Sequence, residues 1–133
     1  MNKLFMKQGL LYIILFIGII IFPRCTGSVD SQLKKLSEEA NTKCPRILDQ
    51  WTRLDSCTTF PNQTIRYYHT LSEVTITDTT LFKSQLQPQI ISSLKTNPDM
   101  KFFRENNVTM QYEYRDQTGK YLFSVIIEPK EYK

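Results

Sequence analysis

Thirteen consecutive apolar residues, LLYIILFIGIIIF from Leu10 to Phe22, govern what this chain can fold into. A helix built from them is apolar on every face. Nothing else in a chain of 133 residues could cover it in a soluble core. Lys3 and Lys7 precede the run, and 16 uncharged residues separate Lys7 from Arg24. A bilayer-crossing helix needs about 20 apolar residues, whereas a run of this length suits the centre of a secretory signal. Cys25 and Gly27 stand three and one residues before Ser28, and small side chains there suit cleavage after Gly27. Two other fates compete. Residues 8–23 could stay as a short membrane anchor, or Cys25 could be lipidated, although Arg24 occupies the place where lipoprotein processing wants a small residue. All three export the rest of the chain. The expected organisation is therefore a signal peptide or membrane anchor over 1–27 and a single exported α+β domain over 28–133.

Removing the leader changes the charge argument. The formal net charge is +4. Lys3, Lys7 and Arg24 lie in the leader, so residues 28–133 carry the other 14 basic side chains against all 13 acids. These charges are interspersed, with no basic block longer than Lys34-Lys35. A nucleic-acid footprint needs clustered Lys and Arg to neutralise several phosphates. No nucleic-acid partner is expected.

Apolar spacing orders the exported part. Leu33, Leu36, Ala40, Cys44, Ile47, Leu48 and Trp51 recur on one helical face, with Asp30 or Ser31 as cap. Pro45 ends or kinks that helix near Lys43, leaving a short second turn over Ile47–Trp51. Thr52–Thr59 and Thr64–Leu71 read as strands around the turn residues PNQ. Ile65, Tyr67 and His69 lie opposite Arg66, Tyr68 and Thr70. Leu81, Phe82, Leu86, Ile90, Ile91 and Leu94 form a second helical stripe, which Pro88 tends to kink. Val108, Met110, Tyr112 and Tyr114 share one face of a strand. DQTG supplies a turn, and Tyr121, Phe123, Val125 and Ile127 return. The order helix–hairpin–helix–hairpin predicts an α+β fold: a four-stranded antiparallel sheet with helices on one face, following the N-terminal signal or anchor helix.

Cys44 and Cys57 are the two cysteines left after the leader, and in an oxidising compartment such a pair normally bonds. A disulfide between them, tying the first helix to the first long strand, is the expectation. The competing reading is two reduced thiols packed as small hydrophobes. Twelve residues separate them, which is not redox C-x-x-C spacing, and with His69 as the lone histidine a zinc site falls short of ligands. No metal or cofactor is expected. Cys57 with His69 could form a nucleophile–base dyad, but neither sits in a nucleophile signature. Asp49 and Arg53 would pair across a helical turn around Trp51, and Arg53 and Asp55 would share a strand face.

Tyrosine is abundant on the predicted strands: Tyr67, Tyr68, Tyr112, Tyr114 and Tyr121. Its apolar ring and polar tip suit interfaces, and antiparallel sheets often leave one face in water. These five are the candidate binding face. NTKCPRILDQWTRLDSCTTFPNQTIRYYHTL and YEYRDQTGKYLFSVIIEPKEY together resemble a family of small bacterial exported or membrane-anchored proteins of unassigned function. The matching positions are Asp49 and Thr52–Ser56, Tyr67–Leu71, then Tyr112, Tyr114, Asp116 and Gly119. The resemblance implies a bacterial origin and an α+β domain, and it transfers no catalytic site. The expected function is a non-enzymatic exported domain binding a protein or cell-envelope component through the tyrosine-rich sheet face, as an accessory, inhibitor-like or immunity-like module. The alternative is a small envelope hydrolase or thiol enzyme working through His69 and Cys57.

Overall fold

The computed structural model describes residues 27–73 and 75–133. The expected leader, with residues 8–23 and Cys25, lies outside the described residues. Among the described residues, no helix is long and apolar enough to cross a membrane.

Helix α1 spans Val29–Asn41. Its cap is Ser28, whose hydroxyl accepts from the Ser31 amide, rather than Asp30 or Ser31. Asp30 instead accepts from the amide of Gln63 and so ties the helix start to a distant turn. Past Asn41 the chain turns into the short strand β1 (Arg46–Ile47). The second helical turn expected over Ile47–Trp51 is absent. Asp49 folds that segment by accepting from the amides of Trp51 and Thr52 at 2.8 and 2.9 Å, a side-chain-to-backbone contact that competes with helix.

Strands β2 (Thr52–Phe60) and β3 (Thr64–Leu71) form the first hairpin, with Asn62 and Gln63 both at positive φ in its turn. Helix α2 (Thr79–Thr96), a 3-10 turn (Pro98–Met100) and helix α3 (Lys101–Glu105) cross over the sheet. Strands β4 (Thr109–Asp116) and β5 (Tyr121–Ile127) form the second hairpin, and helix α4 (Pro129–Tyr132) closes the chain. Gly119, at φ 84°, meets the need for positive φ in that turn.

The sheet has five strands in the order β1-β2-β3-β4-β5. The α+β class and the element order agree with the sequence reading, but the four-stranded antiparallel sheet does not. β1 adds an edge, and β3 pairs with β4 in parallel, from Thr64↔Thr109 to Leu71↔Asp116. The cause is the crossover. A chain that leaves the end of one strand and returns across the sheet through a helix starts its next strand where the first one started.

Strand alternation and the two long helices build one core. Leu33, Ile65, Met110, Val125, Ile127 and Tyr132 are all essentially inaccessible. Tyr132 donates its hydroxyl to the carbonyls of Phe103 and Val108, so the chain's end is pinned inside. α1 and α2 lie on the same face. α2 is the looser cover: Leu94 is its one fully buried residue, and Pro88 sits inside it without breaking it. The opposite face of the sheet is held by ionic contacts. Glu113, nearly buried, lies 2.7 Å from Arg115 and 3.6 Å from Arg66. Arg66 covers the Phe60 ring, and Arg66 and Arg115 flank Tyr68.

Candidate binding groove

Because α1 stands over β2 while α2 stands over β5, the covered face is open between the helices above β3 and β4. The result is a groove of about 470 Å³. Leu36 and Ala40 wall it from α1, and Ile90 and Leu94 from α2. Tyr67, His69, Met110 and Tyr112 floor it, and Lys43, Arg46 and Leu48 stand at its mouth. That volume and its apolar lining with few polar tips fit a ligand-binding cleft.

An aromatic ladder runs through the floor and under α2. Register pairs Tyr67 with Tyr112, His69 with Tyr114 and Tyr114 with Phe123. Their rings stack at 5.7, 4.8 and 4.8 Å between centroids. Burial pushes the phenols of Tyr67 and Tyr112 far up, and that of Tyr114 to about 12, so all three stay neutral hydroxyls. His69 is 5 % exposed, and its Nδ1 is buried without a hydrogen-bond partner among the described residues. Burial also lowers its pKa below 6.5, against smaller raising effects from a hydrogen bond to the Glu113 backbone and from the Asp55 charge.

The sign of that shift gives a pH prediction. With the folded pKa below the unfolded one, the unfolded chain takes up the proton first as pH falls. The stability from neutral His69 is therefore complete above about pH 6.5 and is lost between there and the folded pKa. Urea midpoints of the parent chain should fall between pH 7.5 and 5.5, and those of His69→Gln should fall less. Parallel slopes would show that His69 does not titrate in this way.

The five tyrosines divide between the two faces. Tyr67, Tyr112 and Tyr114 lie on the helix-covered face. Tyr68 is on the other, between its arginines, and Tyr121 is 55 % exposed opposite Arg115. No single face carries all of them. The alternation in the sequence already separates Tyr67 from Tyr68, and it is the cover by α1 and α2 that decides which set is shielded.

The expected disulfide is not formed: Cys44 and Cys57 are free thiols. Each is spent on α1 instead. Cys44 Sγ donates to the Ala40 carbonyl at 3.3 Å, and Cys57 Sγ to the Ser37 carbonyl at 3.5 Å. The clamp between helix and strand is made by two polar residues that sequence reading passed over. Asn41 accepts from the Cys57 amide at 2.8 Å and donates to its carbonyl at 2.9 Å, and Ser37 donates to the same carbonyl. Their four-residue spacing on the helix was the available signal. Trp51, placed on the apolar stripe by its spacing, is 49 % exposed, and Arg53 pairs with Asp55 rather than Asp49.

Cys57 and His69 are not hydrogen-bonded to each other, and burial pushes the Cys57 thiol up, opposite to the activation a nucleophile needs. A small thiol reagent should label Cys44 in the native protein and Cys57 only after unfolding, as read by peptide mass mapping. Rapid native labelling of Cys57 would contradict its placement under Ser37. No group of three potential metal ligands occurs among the described residues.

Solved structures share this fold at low identity. A protein of Pseudomonas aeruginosa assigned as secreted superposes with a TM-score of 0.68 at 10% identity, covering 79% of this chain and 93% of that chain. The pilotin EpsS of the Vibrio vulnificus type 2 secretion system gives 0.64 at 8%, covering 79% and 92%. The type II secretion pilotin AspS of Vibrio cholerae gives 0.60 at 12%, covering 77% and 91%. No curated protein matches the sequence. A family model does match, over residues 28–123, which include α1 and the strands flooring the groove, and the chain belongs to that family, the Domain of unknown function (DUF8479).

Proposed function

We propose that this chain is an exported, non-enzymatic domain that holds an apolar segment of a protein partner in the groove between α1 and α2. The observation that carries this reading is the groove itself, an apolar trough between two helices, with Leu48 45 % exposed at its mouth. A trough of this kind suits an amphipathic helix laid in by its apolar face. Tyr67 and Tyr112 offer ring area and hydroxyls along its floor, and Arg46 with the Lys43–Glu39 pair, 3.7 Å apart, sets the polarity of its mouth. Two of the similar structures are pilotins of type II secretion systems, and a third is assigned as secreted. By analogy, they support a partner-binding role in the cell envelope. Residues 1–27 are the segment that would carry the domain there.

Photocross-linking tests the reading. A benzophenone residue replaces Leu48 in the full-length protein inside cells, and Thr58, exposed on the open face opposite Arg66, in a second strain. The expected result is one dominant protein adduct from position 48 and a weak, diffuse pattern from 58. A dominant adduct from position 58 with none from 48 would overturn the assignment to the groove.

A further inference from the structure

β5 is an outer strand, bonded to β4 alone. No backbone group of residues 121–127 bonds to any other described element. Its sequence, YLFSVII, has neither charge nor proline. Natural edges are normally blunted by short length, charge or proline, because unpaired N–H and C=O groups recruit another strand. The opposite edge follows that rule: β1 has two residues and carries Arg46 directly after Pro45. β5 has one such device, a register shift at Leu122 near its start, and Phe123–Ile127 beyond it is regular, uncharged and free of proline. Ile126, on the open face beside this edge, is 50 % exposed.

We propose that β5 pairs antiparallel with β5 of a second copy of this chain, about a dyad at Ser124, making one continuous sheet. The register is the informative part. With Ser124 opposite itself, Phe123 faces Val125 and Leu122 faces Ile126. At the two ends, past the register shift at Leu122, Lys120 of each copy comes close to Glu128 of the other. Lys120 makes no ion pair among the described residues, and Glu128, which caps α4 with Glu131, has Lys130 as its one ion-pair partner among them. Sliding by two residues sets Lys120 against Lys130 in one direction and against Ile126 in the other, so both slips lose the complementary charges. Sliding by one sets Ser124, on the open face, against Phe123 or Val125, on the covered face, which the two-residue strand period forbids.

The helices permit this arrangement. Phe82 of α2 stands edge-on over Phe123. In the proposed register the two Phe123 positions are offset by one strand spacing across and two residues along. That offset is about 8 Å, close to the 8–10 Å at which helices pack. Ile90 and Leu94, farther along α2, line the groove with Met110 of β4, so the helix leans away from the edge beyond its first turns. The exposed Leu81 lies where the two helix starts would meet.

Cysteine at the dyad is a direct test. Directly opposed residues have Cα atoms about 4.5–5.5 Å apart, within disulfide range. Full-length Ser124→Cys is produced in cells beside the parent chain and Ser92→Cys, an exposed α2 control. Non-reducing electrophoresis should show a covalent dimer from Ser124→Cys alone. Adding Lys120→Glu should cut the dimer at least fivefold, and adding Glu128→Lys as well should restore it. A Ser124→Cys yield no greater than that of Ser92→Cys would overturn the pairing. Failure of the double reversal to restore the dimer, with the melting temperature unchanged, would overturn the register.

Discussion

Leu33→Ala is expected to lower stability by about 3 kcal/mol, within the range for burying and then deleting a leucine side chain in a core. For a domain of this size, that is a drop of roughly 15 °C in melting temperature. Leu33 is the only apolar residue of α1 that is fully inaccessible, and it packs into the same cluster as Ile65 and Val108. The rest of α1 is held by Ser37 and Asn41 on the Cys57 backbone, by Asp30 on the Gln63 amide and by the partly buried Val29 and Ala40. α1 is also one wall of the groove, so the damage should reach function as well as stability. Circular dichroism melts measure the shift. A loss below about 1 kcal/mol would mean that the helix is held mainly by its polar clamp rather than by Leu33.

Ala40→Trp separates binding from folding. Ala40 lines the groove and is only partly buried, and an indole there would occupy the trough. Tryptophan is tolerated in helices at a cost of well under 1 kcal/mol relative to alanine, so the melting temperature should move by only a few degrees. The adduct formed at position 48 should fall at least tenfold. Tyr68→Trp on the open face should leave it unchanged. Equal adduct yields from the Ala40→Trp and parent chains would place the partner elsewhere.

Most of the architecture was legible because apolar spacing reports which residues face inward. Ile65, Tyr67 and Leu71, and likewise Met110, Tyr112 and Tyr114, fall on the covered side as their alternation predicts. Alternation carries no information on strand direction, which is why the parallel β3–β4 pairing was missed. It is equally silent on which face a helix will cover. Alternation divides the tyrosines between two faces, and it is α1 and α2 that shield Tyr67, Tyr112 and Tyr114. β1 is too short to leave a pattern, and Asp49 turned an expected helical segment into a loop through contacts to backbone. The cysteine reading failed on a different ground. Compartment and an even count argue for pairing, but the geometry gives each thiol a carbonyl of α1, and the structural clamp falls to Asn41 and Ser37. The groove itself had no sequence signal, because it arises from the lateral separation of two helices across several strands.

The central claim is that the groove holds the partner. Amide chemical-shift mapping of the labelled protein against the cross-linked partner, purified, tests it most directly. The account predicts perturbations concentrated at Leu36, Ala40, Leu94 and Met110, with little change at Tyr68, Arg115 and Ile126. Perturbations confined to those last three, with the groove residues unmoved, would contradict it.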